Sequence, residues 1–531
     1  MRALRRTTDD EIGLVFAALC LFSAVAWSLS IPADGAVVNG FTHDSGYISI
    51  VAERVRAGQG FTNPAHWLLF LNPPQLPMPF HNANPGYPAT NAVVSAAFGT
   101  DVVFAGLLVS ALSGVLLASV VFALVGRFGG RRFAAVGAVA VVLFPPIWRI
   151  WFALAPDALA TALEVGTLAA ATRARSPWGW LASGVVFGAA WLARSTSLLI
   201  VPGLLWWVFR TRTWRETGTA TLAFGIGALL IAAPWLVHTW QTWGSPLRSD
   251  AGYYWLQDYY ARPFGGDVSK YWRSLTPPPS LGQVLSDDPA GFLRHTLASA
   301  PTLVYLTAAG LSESNRFAAI LLFGLVALAA AQSFPLWRRP EAQGAFLIVA
   351  ATFVSLLERA HSFEVRYFSI AAVLLVLWIL LPLAEYFTSP AGTRTSMLRM
   401  ASAAGCAIYA LVFVVAQDRR IAREMRQPSP ELSAYREVAH EVADAFPDEP
   451  AVVTNQPYLY AYYTKHVALS PPNAGKAELL GFMSRYSARL LLLPTSSLDY
   501  YYPRFEDELT PDIQVSGHAG SYTLLQRATA P

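Results

Sequence analysis

Two acidic residues next to apolar runs are candidates for a catalytic site, and the first of them is placed to act as a general base. Asp44 lies in the segment FTHDSGY, directly after the first long apolar run, and Asp157 lies in ALAPD, directly before another. A carboxylate at a border between water and lipid headgroups is suited to accept the proton of an acceptor hydroxyl. Each residue also has a simpler interpretation. Asp44 could cap a helix over 45–57, and Asp157 could be an ordinary first-turn acid after Pro156.

Arginines next to apolar runs form a second group of candidates. Arg194 lies at the junction of two runs, where a charged side chain is costly unless it has a partner or snorkels to the interface. The segment ERAHSFEVRY (358–367) lies between two further runs and contains His361, Arg366 and Tyr367. Because arginine can bind phosphate through two parallel hydrogen bonds, this dense charged patch indicates an anion site.

The segment after the first apolar run offers three more candidates, His43, Glu53 and Tyr87. It is too apolar and aromatic for a disordered linker, so we expect an ordered lid or re-entrant segment. His66 and His81 lack the spacing of metal ligands. The sequence therefore implies no certain cofactor, and it leaves a divalent metal ion open.

The composition indicates that lipid, rather than water, surrounds most of the chain. Of its 531 residues, 54% are hydrophobic and 14% are charged, and the mean hydropathy is +0.39. Soluble proteins carry about 25% charged residues. The net charge is only +4 and the basic residues are scattered in short clusters, which argues against a nucleic-acid surface.

We predict about eleven membrane-spanning helices, because a span needs about 20 apolar residues. The candidate spans are 12–32, 101–125, 132–147, 157–173, 178–194, 196–210, 218–240, 316–336, 342–358, 367–387 and 398–416. Alternate connections are rich in arginine, and the positive-inside rule places these connections and the N-terminus in the cytoplasm. The arginine clusters lie at 127–132, 173–175, 210–215, 338–339 and 394–399.

This topology predicts two domains. Residues 1–416 form a multi-pass membrane domain with long outer loops at 33–100 and 241–315, and residues 417–531 form a small extracytoplasmic α/β domain. In the latter we predict helices over 429–446, 458–463 and 476–486 and strands over 450–454 and 489–493. No Gly-rich phosphate loop and no nucleophile elbow occur there. We therefore expect a plasma-membrane protein that works on the outer face.

Several short motifs, in this order along the chain, resemble those of the GT-C membrane glycosyltransferases. That group includes protein O-mannosyltransferases, aminoarabinose transferases of lipid A and Rgt-like bacterial proteins. The motifs are HDSGY (43–47), Gly-x-Gly-Phe (58–61), NPGYP (84–88), APD (155–157), ARS (193–195) and Arg366-Tyr367. The resemblance covers most of the chain. Ser45 stands where the family often has a second acid, and the Trp-Trp-Asp-Tyr-Gly motif of oligosaccharyltransferases is absent.

The resemblance implies a polytopic α-helical GT-C fold. It also implies transfer of a sugar from a polyprenyl-phosphate donor to an acceptor hydroxyl, with inversion. Asp44 would be the catalytic base, and Asp157 would organise the site, in some relatives together with a metal. Arg194 and Arg366, with Tyr367 and His361 beside them, would hold the lipid phosphate.

The partners that the resemblance implies are the lipid-linked donor, membrane lipid and a protein, lipid or glycan acceptor, with no nucleic acid. The sequence leaves two alternatives open. One is a flippase or transporter of lipid-linked sugars, which would place charges near the middle of several spans. The other is a non-catalytic envelope scaffold, in which the acids only cap helices.

Overall fold

The computed structural model describes residues 35–73, 76–80, 84–247, 251–312, 325–326, 338–362, 364–388, 415–502 and 512–528. Several predictions fall outside these residues. The predicted spans 12–32 and 398–416 lie wholly or almost wholly outside them, as do most of 316–336 and the residue His81.

Helices make up most of the described chain. In chain order they are α1 (His43–Arg56), α2 (Gly86–Phe98), α3 (Val102–Val142), α4 (Pro145–Phe152), α5 (Asp157–Arg173), α6 (Pro177–Ala193), α7 (Val201–Thr211), α8 (Trp214–Trp243), α9 (Ala251–Trp255), α10 (Gln257–Tyr260), α11 (Val268–Trp272), α12 (Leu281–Asp287), α13 (Pro289–Leu311), α14 (Pro340–Ser355), α15 (Ser369–Thr388), α16 (Val415–Arg426), α17 (Pro430–Ala445), α18 (Pro457–Thr464), α19 (Lys476–Arg485) and α20 (Leu498–Tyr501). Gly130 interrupts α3 at a φ of 76°, where the sequence predicts the turn between spans 101–125 and 132–147.

Two of the described helices are long and apolar enough to cross a membrane, Val102–Arg127 within α3 and Trp214–Trp243, which is α8. The helices Phe133–Val142 and Pro145–Phe152 are bent by 61° relative to each other, and they add a third candidate span if together they form one. The predicted spans 157–173 and 178–194 correspond to α5 and α6, which have 17 residues each. The total of about eleven spans remains a prediction.

Glycine lets α6 and α8 approach each other closely. A Cβ atom on Gly184 or Gly188 of α6 would overlap the backbone of α8, and one on Gly227 of α8 would overlap the carbonyl oxygen of Leu181. Between helices in lipid the hydrophobic effect contributes little, so close van der Waals contact supplies much of the attraction. This contact fixes the direction of α6, and Arg194 follows directly after its last residue.

A six-stranded sheet is built mainly from the C-terminal part of the chain, in the order β2-β5-β4-β6-β8-β7. The strands are β2 (Ala65–His66), β4 (Ala451–Thr454), β5 (Val467–Leu469), β6 (Leu490–Pro494), β7 (Ile513–Ala519) and β8 (Tyr522–Arg527). β4 pairs in parallel with β5 and β6, whereas β8 is antiparallel to β6 and β7. The apolar runs AVVT and LLLLP form its buried central strands, as is typical of parallel pairing. β4 and β6 correspond to the strands predicted at 450–454 and 489–493.

The first loop (33–100) contributes directly to this sheet. Its strand β2 pairs in parallel with β5. It also contains a short antiparallel pair, β1 (Thr62–Asn63) with β3 (Met78–Pro79). Tyr47 of the loop packs against Tyr458 of α18, with ring centroids 5.2 Å apart. The sheet thus contains residues from both sides of the predicted boundary at 417.

Candidate functional site

Asp44 lies in the first turn of α1, but it is not the residue that caps this helix. Thr42 is the N-cap: its hydroxyl accepts a hydrogen bond from the backbone N–H of Ser45, and the hydroxyl of Ser45 accepts one from the N–H of Thr42. Ser45 also donates to the carbonyl of Leu154, which precedes α5. The start of α1 is therefore fixed beside the start of α5, and the carboxylate of Asp44 remains available for other contacts.

Arg366 provides that contact from a distant part of the chain. Its Nη2 donates to Oδ2 of Asp44 at 2.6 Å, and its Nε lies 2.5 Å from Oε2 of Glu364. Enclosure by protein raises the pKa of the Asp44 carboxyl, but the charge and hydrogen bond of Arg366 outweigh this effect and hold the pKa below its usual range. About half of the Asp44 side chain is exposed, so the carboxylate can reach a ligand.

Asp157 forms the second acid–arginine pair. It lies in the first turn of α5, it is buried, and its carboxylate is paired with the guanidinium of Arg194 at the end of α6. Pro156, the N-cap residue, offers no side-chain hydrogen bond to the helix. The arginine supplies the partner that a buried acid needs in an apolar helix bundle.

The ring of Tyr367 brings the two pairs together. Three guanidinium carbons lie near its ring centroid: Arg359 at 4.0 Å, Arg194 at 5.1 Å and Arg366 at 5.3 Å. These distances lie within the range of cation–π attraction. We refer to Arg194, Arg359 and Arg366 around Tyr367 as the arginine cluster. Arginines gathered in this way can bind an oxyanion with several charge-assisted hydrogen bonds.

Arg359 is the member of the cluster that was not among the predicted site residues. The buried residue before it, Glu358, lies with Oε2 3.1 Å from Nδ1 of His295 and accepts a hydrogen bond from the hydroxyl of Thr296, both on α13. These contacts hold the 3₁₀ helix Leu357–Ser362 that carries Arg359. The many charged residues of the segment 358–367 indicate a site there, but the sequence gives no reason to choose Arg359 as well as Arg366.

A cavity opens beside the arginine cluster. It is lined by Asp157, Thr161, Glu164, Arg194, Arg366 and Tyr367, among other residues. The cavity therefore lies between α5, the end of α6 and the segment before α15, and both acids and arginines line it.

Comparisons with known proteins agree with this architecture. Residues 82–238 match a family described as dolichyl-phosphate-mannose-protein mannosyltransferase. No curated protein sequence matches the chain significantly. The fold is similar to that of ArnT from Cupriavidus metallidurans, solved with bound undecaprenyl phosphate, at a TM-score of 0.57 and 16% identity over 96% of this chain and 97% of that one. This chain therefore has a fold similar to that of the GT-C membrane proteins.

A second GT-C protein gives a similar result. The oligosaccharyltransferase of Archaeoglobus fulgidus, solved with a tethered acceptor peptide, superposes at a TM-score of 0.59 and 12% identity over 92% of this chain and 70% of that one. The same archaeal enzyme, AglB, was also solved with an inhibitory peptide and dolichol phosphate, at a TM-score of 0.55. Identities this low establish the GT-C fold alone. The predicted resemblance is thus confirmed, and so is the membrane class.

His43 lies next to Asp44 but contacts residues of the C-terminal part of the chain. The centroid of its ring lies 4.5 Å from that of Trp67 and 4.5 Å from that of Tyr458, and its Nδ1 is 3.1 Å from Oε1 of Gln456. Burial lowers the pKa of His43 to about 4, although Asp44 and Gln456 act to raise it. His43 is therefore neutral near pH 7 and adds no positive charge to the site.

The remaining predicted site residues have contacts of other kinds. Glu53 forms an ion pair with Lys465, 2.5 Å apart, at the junction of the first loop and α18. The buried hydroxyl of Tyr87 donates to the carbonyl of Gly106 at 2.8 Å and so joins α2 to α3. His361 belongs to the 3₁₀ helix Leu357–Ser362, two residues after Arg359. The structure thus joins Asp44, Asp157, Arg194, Arg366 and Tyr367 in one place, while Glu53 and Tyr87 connect elements elsewhere.

The described acids and histidines were compared with the arrangement that a metal ion needs. Within the part of the chain that the structure describes, no three His, Cys, Asp or Glu side chains come together in a way that could hold a metal ion. Asp44 and Asp157, the acids that could serve as ligands, each have an arginine partner instead. The acids of the site are thus positioned by arginines.

Proposed function

We propose that this protein is a membrane glycosyltransferase. It moves a sugar from a polyprenyl-phosphate donor to a hydroxyl group of a protein, lipid or glycan acceptor. The acceptor oxygen attacks the anomeric carbon while the bond from that carbon to the phosphate oxygen breaks, so the configuration inverts. The polyprenyl phosphate leaves with the bonding electron pair, and the proton of the acceptor hydroxyl passes to the carboxylate of Asp44.

The observation that carries the proposal is the ion pair between Asp44 and Arg366, 2.6 Å apart. A carboxylate bound to an arginine is a weak base, because the ion pair holds its pKa low. The phosphate of the donor competes for the same guanidinium. When the phosphate binds Arg366, Asp44 loses its partner and becomes a stronger base at the moment when the substrate is in place.

The arginine cluster supplies the positive charge that stabilises a phosphate leaving group. Arg194, Arg359 and Arg366 would stabilise the negative charge that develops on the polyprenyl phosphate as the glycosidic bond breaks. Tyr367 holds the three guanidinium groups together, and Asp157 orients Arg194. We keep His361, in the same segment, as a further donor-binding candidate. The lipid phosphates bound by ArnT and AglB are ligands of the class that we assign to this protein.

We place this reaction on the outer face of the plasma membrane. Support comes from the arginine-rich connections at 127–132, 173–175 and 210–215, which the positive-inside rule assigns to the cytoplasm together with the N-terminus. Asp44, Asp157 and Arg194 then lie at the opposite helix ends. In this arrangement residues 1–416 form the membrane domain, and residues 417–531 form an extracytoplasmic α/β domain. The first loop contributes the strand β2 to the sheet of that domain.

The function is tested by mass spectrometry of the cell envelope with and without the protein. Cells that lack it should lose a glycosylated component, which the wild-type chain restores. Asp44→Asn should fail to restore it, because loss of a general base lowers the rate by about 10²–10⁴-fold. The matched control is Asp448→Asn, at an exposed acid of the C-terminal part, which should restore the component fully.

Two results would contradict the proposal. An envelope that is unchanged without the protein would remove the glycosyltransferase function. Restoration by Asp44→Asn would leave the function standing but remove Asp44 from the role of base. Both variants are first shown to unfold at the wild-type temperature in detergent, so that a folding defect is recognised.

A further inference from the structure

Two turns lie at the end of α6 opposite to Arg194. The first turn (174–176) joins α5 to α6, and the second turn (212–213) joins α7 to α8. Arg212 donates from Nη2 to the carbonyl oxygen of Ala174 at 2.7 Å, so the two turns are in contact. Because α6 has 17 residues, they lie about 25 Å from Arg194 and the arginine cluster. We refer to residues 173–178 and 210–216 together as the basic turns.

The basic turns carry positive charge that acidic side chains leave uncompensated. They contain five arginines and one acid, Glu216. Glu216 accepts hydrogen bonds from the backbone N–H and the hydroxyl of Thr213, the N-cap residue of α8. Arg175, Arg210 and Arg215 are exposed, and among the residues that the structure describes none of the three forms an ion pair. Their charge is thus available to an anionic partner.

Two tryptophans of the basic turns are also exposed. Trp178 is 77% exposed and Trp214 is 80% exposed. Trp214 begins α8, a helix of 30 residues that is long and apolar enough to cross a membrane. At about 1.5 Å per residue α8 extends for about 45 Å, which matches the thickness of a bilayer with its headgroup layers. The first residue of such a helix lies among the lipid headgroups, where tryptophan is enriched.

We propose that the basic turns bind the headgroups of anionic phospholipids. The two tryptophan rings hold the turns at the depth of the headgroups, and Arg175, Arg210 and Arg215 bind the phosphate oxygens. A zwitterionic headgroup such as that of phosphatidylcholine offsets its phosphate with its own ammonium group, so a headgroup with net negative charge is the better ligand. An acidic segment of a partner protein could also pair with the arginines, but it would leave both tryptophan rings in water.

The location of this surface makes it independent of the proposed transfer reaction. It lies at the other end of α6 from the arginine cluster, and the positive-inside rule places it at the cytoplasmic leaflet. The negative surface potential of that leaflet attracts basic segments next to a membrane span. A lipid bound to both turns would connect the ends of α6 and α8, the two helices whose close contact directs Arg194.

The test measures the lipid selectivity of the full chain. Purified, delipidated protein in detergent is incubated with equal amounts of phosphatidylglycerol and phosphatidylcholine that have the same acyl chains. Mass spectrometry then gives the ratio of the two lipids that remain bound. The wild-type protein should enrich phosphatidylglycerol. Arg175→Gln should lower this enrichment about fivefold, and Arg175→Gln/Arg215→Gln should lower it about 25-fold, because each arginine near an anionic surface contributes a factor of about five in affinity.

A matched variant and a second measurement separate lipid binding from a folding defect. Arg485→Gln removes the same charge at an exposed position of α19 and should keep the wild-type ratio. Phosphatidylglycerol should raise the unfolding midpoint of the wild-type protein more than phosphatidylcholine does, because a ligand that binds only the folded state stabilises it. The double variant should unfold at the wild-type midpoint in detergent alone and should lose this added stability.

Three outcomes would overturn the proposal. Equal retention of the two lipids by the wild-type protein would leave an acidic protein segment as the partner of the basic turns. Full enrichment in the double variant would place the anionic lipid elsewhere on the protein. Displacement of phosphatidylglycerol by glycerol phosphate, which has no acyl chains, would show that the turns bind a soluble anion. None of these outcomes bears on the role of Asp44.

Discussion

At the scale of single residues, the site is a set of acids and arginines that neutralise one another until a ligand arrives. Asp44 pairs with Arg366 and Asp157 pairs with Arg194, while Tyr367 packs against both arginines. In this arrangement Arg194 and Arg366 are enclosed by protein, and each has an acid as its partner, so neither charge is left uncompensated. Under the proposed function, a phosphate that binds the arginines would exchange one set of ion pairs for another, which lowers the free-energy cost of binding.

The pH dependence of transfer should report the contact between Asp44 and Arg366. Asp44 must be deprotonated to act as a base, and Arg366 holds its pKa below the usual range. The wild-type rate should therefore stay constant as the pH falls through the range where a free aspartate becomes protonated. Arg366→Gln removes the charge and raises this pKa, so the rate should decline at a higher pH.

The measurement is kcat/KM for the donor over a series of pH values, because this ratio reports the free enzyme, in which Asp44 is still paired with Arg366. Arg359→Gln is the matched control, because Arg359 also lies against Tyr367 but does not contact Asp44. It should weaken donor binding and leave the acid limb unchanged. An acid limb at the same pH in Arg366→Gln and the wild type would show that Arg366 does not set the strength of the base.

At the scale of elements, close helix packing determines where the arginines stand. Arg194 follows α6, and α6 is held against α8 by backbone contact at Gly184, Gly188 and Gly227. The other two arginines lie on the 3₁₀ turns between α14 and α15. The cluster therefore forms only if these separate elements converge, and a small change in helix separation should disturb it.

Gly227→Ala should destabilise the protein through this contact. The added methyl group would overlap the carbonyl oxygen of Leu181, and overpacking of this kind costs about 1–3 kcal/mol. Gly225→Ala, two residues away on the same helix, meets no atom within 4 Å and is the matched control. Thermal unfolding in detergent should show a lower midpoint for Gly227→Ala only. Equal midpoints would mean that α6 and α8 can separate freely.

At the scale of the whole molecule, the first loop and the C-terminal part form one structure around Asp44. β2 of the loop completes the sheet beside β5. Gln456 and Tyr458 hold the ring of His43, the residue directly before Asp44. The C-terminal part thus contacts the site through α1, whereas the two acid–arginine pairs are formed by residues outside that part.

Gln456→Ala should therefore lower the rate of transfer without changing the affinity for the donor. The variant removes the hydrogen bond to Nδ1 of His43, and α1 then holds Asp44 less firmly. Loss of one such bond corresponds to about 1 kcal/mol, or roughly fivefold in kcat. The donor KM should remain as in the wild type, because the arginine cluster is untouched.

Lys465→Ala serves as the comparison for this experiment. It breaks another contact between the two parts, the exposed ion pair with Glu53, and exposed pairs contribute only about 0–1 kcal/mol. Its kcat and KM should match those of the wild type. A rise in donor KM in Gln456→Ala, with kcat unchanged, would contradict the assignment of Gln456 as a positioning residue.

The amino-acid sequence by itself determined the membrane class, the positions of α5 and α6, the strands β4 and β6, and the segments that carry the acids and arginines. Hydropathy, periodicity and charge are properties of short segments, so they can be read without the fold. The motif order also indicated the GT-C resemblance, which the fold comparisons confirm.

Only the tertiary structure decided which acid meets which arginine. Asp44 and Arg366 are 322 positions apart, and no local pattern links residues at that distance. The same reason applies to β2, a two-residue strand that joins the sheet only because β5 lies beside it. The sequence also did not show that Thr42, and not Asp44, is the N-cap of α1. Nor did it single out Arg359, whose guanidinium lies 4.0 Å from the ring centroid of Tyr367 only in the folded chain. Side-chain pairing depends on the convergence of distant elements, and that convergence is a property of the folded chain.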